Sequence, residues 1–332
     1  MPLIRFCCFL VSAFVLDVGH LVYGTFITPG TSGKMTQTML LPREIVSRQL
    51  STCPWKRSDL VDWNPSLNST NYTLPENSKV VLKSNATIGY LEIPATSTLV
   101  FDDQDIELQV RGIEIFGKLQ IGSKTCRTNK RQTITLIGSS SDQNSHDVVH
   151  KGIVATAAAK VELFGALYQP SWTRLSTIAN VGNNTIYLQE CVEWPTGSVI
   201  LLTTTHLIDT RRHNWNEKVT IASVSCETRI VAGFPYSFGK IVTASRLKYS
   251  HYAKVYEYQA EVAILSRNIV IRGDTLSIPY DPQPSNVVCS DNKRSDVPCS
   301  NYYLTGYGGH MLISEQASAE ISSVEFFRMG QT

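Results

Sequence analysis

The sequence predicts an all-β fold in which the chain winds as a stacked coil, a parallel β-helix carrying an inserted β lobe. Two observations carry this reading. First, "IEIFG" at 113–117 returns as "ITLIG" at 134–138, "VELFG" at 161–165 and "IVIRG" at 269–273. Strict apolar alternation rich in Ile, Val and Leu marks a strand with one buried face, and helical periodicity is scarce throughout. Second, the apolar pairs that start at Leu91, Ile113, Ile134 and Ile153 are separated by 22, 21 and 19 residues. Stacked turns need such a near-constant step, whereas sandwich loops do not. Glycine ends each copy because a corner calls for backbone angles or close approaches denied to residues with a Cβ. Gly117, Gly138, Gly165 and Gly273 are therefore read as corner residues. A β-sandwich, whose short strands are also punctuated by glycine, is the competing architecture.

From the N-terminus, residues 1–24 read as a signal peptide: Arg5 precedes an apolar run from Phe6 to Leu16, which gives way to a more polar stretch ending at Gly24. That run is too short to cross a bilayer, and Asp17 interrupts it. Residues 25–60 form a polar lead-in without alternation. Coil turns are expected over 61–180 and again over 260–332. Between them, residues 181–259 lose the regular spacing and read as a β-rich lobe or a set of insertions, with strands such as "TIYLQECVEW" and "SVILLTTT". No later segment is long and apolar enough to span a membrane.

Composition narrows the function classes. Of 332 residues, 42% are hydrophobic, so a large core is available, and Lys plus Arg exceed Asp plus Glu by only 30 to 28. So balanced a chain has no basic field of the kind nucleic acids require. Asn68, Asn71, Asn85 and Asn183 each open an N-x-Ser/Thr sequon, the pattern of a secreted glycoprotein. Cys7 and Cys8 lie in the signal segment, and the other six cysteines form an even set suited to an oxidising compartment. The favoured pairing is Cys289 with Cys299, closing a short polar loop, then Cys191 with Cys226 and Cys53 with Cys126. Zinc is the weaker use, because there is no CxxC.

The stretch from Trp63 to about Ala179, carried by "STLVFDDQDIELQVRGIEIFGKLQIGS", "ITLIG" and "GIVATAAAKVELFGA", resembles the G-eight domain, an extracellular all-β module named for eight glycines. Beyond it, "WTRLSTIANVGNNTIYLQECVEWPTGSVILLTTT", "QAEVAILSRNIVIRGD" and "ISSVEFFRMGQ" are similar to segments that follow this domain in two groups. One is the fibrocystin and fibrocystin-L family of large receptor-like surface proteins. The other is the hyaluronan-binding and hyaluronan-depolymerising proteins of the cell-migration-inducing type. The resemblance implies a right-handed parallel β-helix, and the "AEVAILSRNIVIRGD" stretch looks closer to fibrocystin. Members of both groups continue past "MGQ" into further turns with a histidine-containing motif, so the sequence is read as a fragment or truncated form.

Candidate chemistry is thinner. Asp102, Asp103 and Asp105 offer oxygen ligands for calcium, without the spacing of an EF-hand loop; a turn explains them equally well. His146 and His150 are close enough to share a metal, with no third ligand nearby. Glu114, Glu162 and Glu320 lie in predicted strands and point outward if their Ile, Val and Leu neighbours point in; a glycosidase needs two such carboxylates across the scissile bond. The richest surface is "RLKYSHYAKVYEY", where Arg246, Lys248 and Lys254 interleave with Tyr249, Tyr252, Tyr256 and Tyr258. Aromatic faces stack on sugar rings while cations meet carboxylates or sulfates. A second basic-aromatic stretch holds Arg211, Arg212, His213 and Trp215.

Two functions follow. The first is a non-catalytic extracellular β-helix module, binding an acidic glycan such as hyaluronan or an extracellular protein, and able to self-associate through an open C-terminal turn. The second is a hyaluronan-depolymerising or other polysaccharide-acting enzyme. No cofactor is expected, calcium apart.

Overall fold

A computed structural model of the chain describes residues 52–64, 71–142, 147–206, 215–231, 233–254, 258–275 and 307–330. By internal contact the chain divides into Met1–Arg48 and Gln49–Thr332, and every described residue belongs to the second unit. The expected signal segment, most of the 25–60 lead-in, Asn68, His146, Arg211, Arg212, His213, Tyr256, Cys289 and Cys299 lie outside the described residues.

The described chain is all-β, with two parallel sheets and one antiparallel sheet; its helical content is a single 3-10 turn at Pro54–Lys56. Numbered in chain order, the first parallel sheet runs β1 (Val61–Asp62), β3 (Lys79–Leu82), β5 (Thr98–Phe101), β7 (Lys118–Ile121), β10 (Lys160–Phe164) and β19 (Ser318–Ser322). The second holds β2 (Tyr72–Thr73), β4 (Ala86–Ile93), β6 (Ile106–Ile115), β8 (Gln132–Leu136), β9 (Gly152–Ala155), β17 (Ile269–Gly273), β18 (His310–Ile313) and β20 (Val324–Phe327). From β3 to β10 the chain passes back and forth between these two sheets, except that β8 and β9 follow one another in the second, where each pairs with a different half of β6.

Register explains the apolar alternation. Leu91, Ile113 and Ile153 stack on adjacent strands, and all three are fully buried. The first core gathers these with Leu82, Leu99, Phe101, Leu119, Leu163 and their neighbours, each fully buried apolar side chain contributing about 1.5–3 kcal/mol. Ile134 does not join that column. It pairs with Leu108 on one side and Ile271 on the other, because β6 gives its first half to β8 and its second half to β9. The expected steps of 21 and 19 therefore divide one interval between Ile113 and Ile153. Alternation reports which face is buried; it does not report which strand lies alongside.

Three of the four motif glycines sit where a side chain would not fit. A Cβ at Gly117 would overlap the carbonyl oxygens of Pro94 and Ser97, and one at Gly165 would meet the Ser323 carbonyl. Gly138 has φ +141° and the His150 ring against it. Gly273 differs: it is the last residue of β17, opposite Leu136.

The lobe is the antiparallel sheet, in the order β11 (Trp172–Arg174), β16 (Glu261–Ile264), β13 (Val199–Leu202), β14 (Glu217–Val231), β15 (Phe234–Thr243) and β12 (Thr185–Leu188). It has its own core, in which Leu175, Leu188, Trp194, Ile200, Ile241 and Val262 are buried. The parallel turns expected to resume at Ala260 resume at Ile269 instead. "EVAI" and "IVIRG" alternate alike, but β16 pairs antiparallel with β11 and β13, and β17 pairs parallel with β8. Asn268 marks the change: its Oδ1 accepts from the Ala166 amide, and its Nδ2 donates to the carbonyls of Thr128 and Lys130. One side chain thus joins the points where the chain leaves for the lobe and returns.

Disulfides link Cys53 to Cys126 and Cys191 to Cys226. The first ties the 3-10 turn to the loop after β7; the second ties β14 to the segment after β12.

Candidate functional site

Over 246–254 burial alternates, and isolated bridges at His251 and Ala253 hold the segment to the lobe. Leu247, His251 and Ala253 point inward and are buried, while Arg246, Lys248 and Lys254 are exposed on the other side, where Tyr252 is half-buried. Tyr258 is exposed. Tyr249 turns toward the second basic-aromatic stretch: its ring stacks on Trp215, with centroids 5.4 Å apart and planes 1° apart. Trp215 in turn lies 4.2 Å from the His206 ring. Trp215, the described end of the second stretch, thus meets the first at Tyr249, beside Lys248 in the chain, and the Arg246 guanidinium donates to the Gly182 carbonyl.

What holds this surface is a pair that sequence reasoning missed. Glu217, buried at the start of β14, accepts hydrogen bonds from the backbone amides of Lys248 and Tyr249. Its Oε2 also lies 3.2 Å from Nε2 of the fully buried His251. The other His251 nitrogen contacts the Thr203 carbonyl at 2.9 Å. A buried carboxylate needs such donors to offset its lost hydration. The sequence signal was the odd spacing of His251 among outward residues: it falls on the inward side of the alternation, where an unpartnered imidazole would be costly.

The three aspartates form a clamp. Asp103 Oδ1 accepts from the Thr128 hydroxyl and from the amides of Asn129 and Lys130, and Asp105 Oδ1 accepts from the Arg131 amide. Asp102 accepts from the Asp103 amide and the Gln104 side chain. Asp103 and Asp105 thus hold the 128–131 segment beside the turn between β5 and β6, and among the described residues no cluster of three or more His, Cys, Asp or Glu is arranged to hold a metal ion.

His150 is fully buried, its Nδ1 2.7 Å from the Tyr90 hydroxyl. Beside it Lys151, also fully buried and at φ +54°, donates to the Gly138 carbonyl and pairs with Asp274 at 2.8 Å. Burial pushes the Lys151 ammonium below its ordinary range, against the pull of Asp274. This cluster binds the ends of β8, β9 and β17 together; "HDVVHKG" and Asp274 lie too far apart in sequence for their meeting to be read.

Of the expected strand carboxylates, Glu162 and Glu320 are register partners on the adjacent parallel strands β10 and β19, and Glu114 lies apart from them. Glu162 pairs with Lys118 at 2.7 Å and accepts from Gln120, and Glu320 lies opposite it, exposed. Glu114 lies on the other parallel sheet, opposite Glu92. Its carboxyl is pushed above the usual carboxylate range by burial, then by the nearby charges of Glu92 and Asp147.

The sequon residues Asn71 and Asn85 are exposed and use their Oδ1 atoms alike, accepting from the Tyr90 and Glu107 amides. Asn183 is exposed in the lobe. Among the described residues no helix is long and apolar enough to cross a membrane.

Residues 55–176 match the G8 domain, so the chain carries a G8 domain over those residues. It is 32% identical over 320 residues to a G8 domain-containing protein of Dictyostelium discoideum, covering 90% of this chain and 20% of that protein. It is also 36% identical over 191 residues to human fibrocystin-L, covering 53% of this chain and 4% of that protein. With mouse fibrocystin-L the identity is 31% over 264 residues, 71% of this chain and 6% of that protein. The chain spans about a fifth of the length of the first Dictyostelium relatives it matches.

Proposed function

We propose that the chain is an extracellular module of a fibrocystin-like glycoprotein, a right-handed parallel β-helix whose lobe binds an acidic glycan of the hyaluronan or heparin type. The two parallel sheets visited in turn support the helical reading, and the two disulfides and the exposed sequon residues support the extracellular one. One observation carries the binding role: Trp215 stacks on Tyr249, next to the exposed Lys248. Rings of this kind present flat apolar faces to sugars, and the exposed cations beside them attract carboxylates or sulfates.

The test is retention of the secreted chain on immobilised hyaluronan and heparin. Replacing Arg246, Lys248 and Lys254 with serine should weaken retention and flatten its salt dependence, since exposed charges are screened within a Debye length. Unchanged retention by a folded variant overturns the binding role. Incubation with size-defined hyaluronan separates this reading from a depolymerising enzyme, which alone shortens the polymer. The secreted chain should also lose mass when treated with an N-glycan-removing enzyme.

A further inference from the structure

The lobe's longest hairpin extends past its own sheet. β13 pairs only with Glu217–Thr220 of β14, and β12 only with Gly239–Val242 of β15. From Glu227↔Phe238 to Val231↔Phe234 the two strands pair with each other alone among the described strands. Five residue pairs at about 3.4 Å each make a free ribbon about 17 Å long. An isolated two-stranded ribbon is marginal in water, and this one is braced at its base. Cys226 is bonded to Cys191, Glu227 pairs with Lys240 at 3.0 Å and with Arg229 at 3.8 Å, the Tyr236 hydroxyl donates to the Gln189 carbonyl, and the Arg229 guanidinium lies 4.6 Å over the Phe238 ring.

The ribbon is layered by chemistry along its length. At the tip, Phe234 is 75% exposed and Ile230 is 70% exposed. Phe234 and Ile230 occupy neighbouring pairs and so point to opposite faces, with Pro235 beside Ile230. The next pair is Arg229↔Tyr236, and the one behind it is Thr228↔Ser237, whose hydroxyls lie 2.9 Å apart. Between Thr228 and Phe238 the only charged residue is Arg229.

We infer that this ribbon tip inserts into the headgroup boundary of a phospholipid bilayer. A protein groove reads one face of a strand, whereas an apolar tip on both faces suits a medium that is apolar on every side. The apolar layer is two pairs deep, about 7 Å, within the roughly 5–10 Å to which interfacial segments bury. Arg229 then falls near headgroup level, where a cation meets lipid phosphate, while the Tyr236 hydroxyl is held by the Gln189 carbonyl of the lobe. Glu227, the nearest acid, stays behind the polar Thr228↔Ser237 layer.

The experiment is co-sedimentation of the full secreted chain with phosphatidylcholine vesicles containing phosphatidylserine. The wild type should partition to vesicles, and Phe234→Asp and Ile230→Asp should each lower the bound fraction about tenfold or more, the scale of losing one buried apolar side chain. Phe234→Trp should keep binding, and its fluorescence should shift to the blue on adding vesicles. Hyaluronan or heparin retention should not change in either Asp variant, which keeps this inference separable from the glycan reading. Absence of vesicle binding by the wild type, or equal binding by both Asp variants, overturns it. So does a dimer that Phe234→Asp dissolves without any vesicle binding.

Discussion

The Trp215 indole and the Tyr249 phenol lie parallel, their planes 1° apart, although one precedes β14 and the other follows β15. The pair is therefore set by tertiary packing, and its contribution can be separated from that of the cations around it. Trp215→Ala should lower retention on a heparin surface three- to tenfold, the equivalent of about 0.5–1.5 kcal/mol for a lost aromatic contact. The slope of retention against salt should stay as in the wild type, because no charge is removed. A changed slope would place Trp215 outside the binding surface and in the support of the lysines.

Lys151 and Asp274 form a buried pair whose single disruption is costly. Asp274→Asn leaves a buried ammonium without its counter-charge and should destabilise the protein by about 3–5 kcal/mol. Lys151→Met combined with Asp274→Asn should recover most of that loss. Denaturant unfolding of the single and double variants checks both statements, and equal stability of the two would mean the pair is solvated in solution.

Gly117 tests the close approach at a corner. Gly117→Ala places a Cβ against two backbone carbonyls that cannot rotate away and should cost at least about 2 kcal/mol, in the range of overpacked cores. Gly182→Ala, at φ +84° with nothing within 4 Å, should cost only about 1 kcal/mol from its backbone angle. Similar melting temperatures for the two variants would argue against close packing at Gly117.

How much of this was legible beforehand depends on the range of the signal. Alternation identified strands such as Ile113–Ile115 and Val161–Leu163, since a buried face imposes period 2 wherever the strand lies. It could not distinguish β16 from β17, because partner and direction are set by residues far away. The exposure of Arg246, Lys248 and Lys254 follows the same local alternation. The Glu217–His251 and Lys151–Asp274 pairs were not legible, for each joins residues from different elements, and a single sequence carries no distance between them. Asp102, Asp103 and Asp105 illustrate the converse: three acids close in sequence serve separate backbone amides.

Glu114 gives a pH dependence. Its carboxyl titrates above the usual range in the folded chain because burial, Glu92 and Asp147 all disfavour its charge. A carboxyl with a raised folded pKa binds its proton more tightly when folded, so it weakens the fold above that pKa and ceases to do so as pH falls through it. Glu114→Gln should therefore raise the melting temperature at neutral pH by an amount corresponding to a few tenths of a kcal/mol, as for like charges on adjacent strands. The gain should vanish in the acid range where Glu114 takes up its proton. A gain independent of pH would assign the effect to packing.

Strands β18, β19 and β20 each pair on one side only among the described strands, and Leu312, Ile321, Phe326 and Phe327 are exposed along them. Unpaired strand edges with apolar side chains recruit further strands, so the chain is expected to self-associate there. Sedimentation velocity should show a concentration-dependent dimer or larger species, and Phe326→Lys should shift it to monomer. A wild-type monomer at all concentrations would mean this edge is covered.

Asn268 has a consequence for the order in which the molecule assembles. Pairing β8 with β17 means closing a loop of more than a hundred residues, and the entropy of closure grows with loop length, though only logarithmically. Long-range parallel pairing of this kind slows folding. The lobe between them has its own core, and its two ends are held at one point by Asn268. If it collapses first, the loop to be closed shrinks to the segment from Leu136 to Ala166, which carries β9 and β10. Early collapse of the lobe would bring β17 to β8, and a chain weakened at Asn268 is expected to refold more slowly.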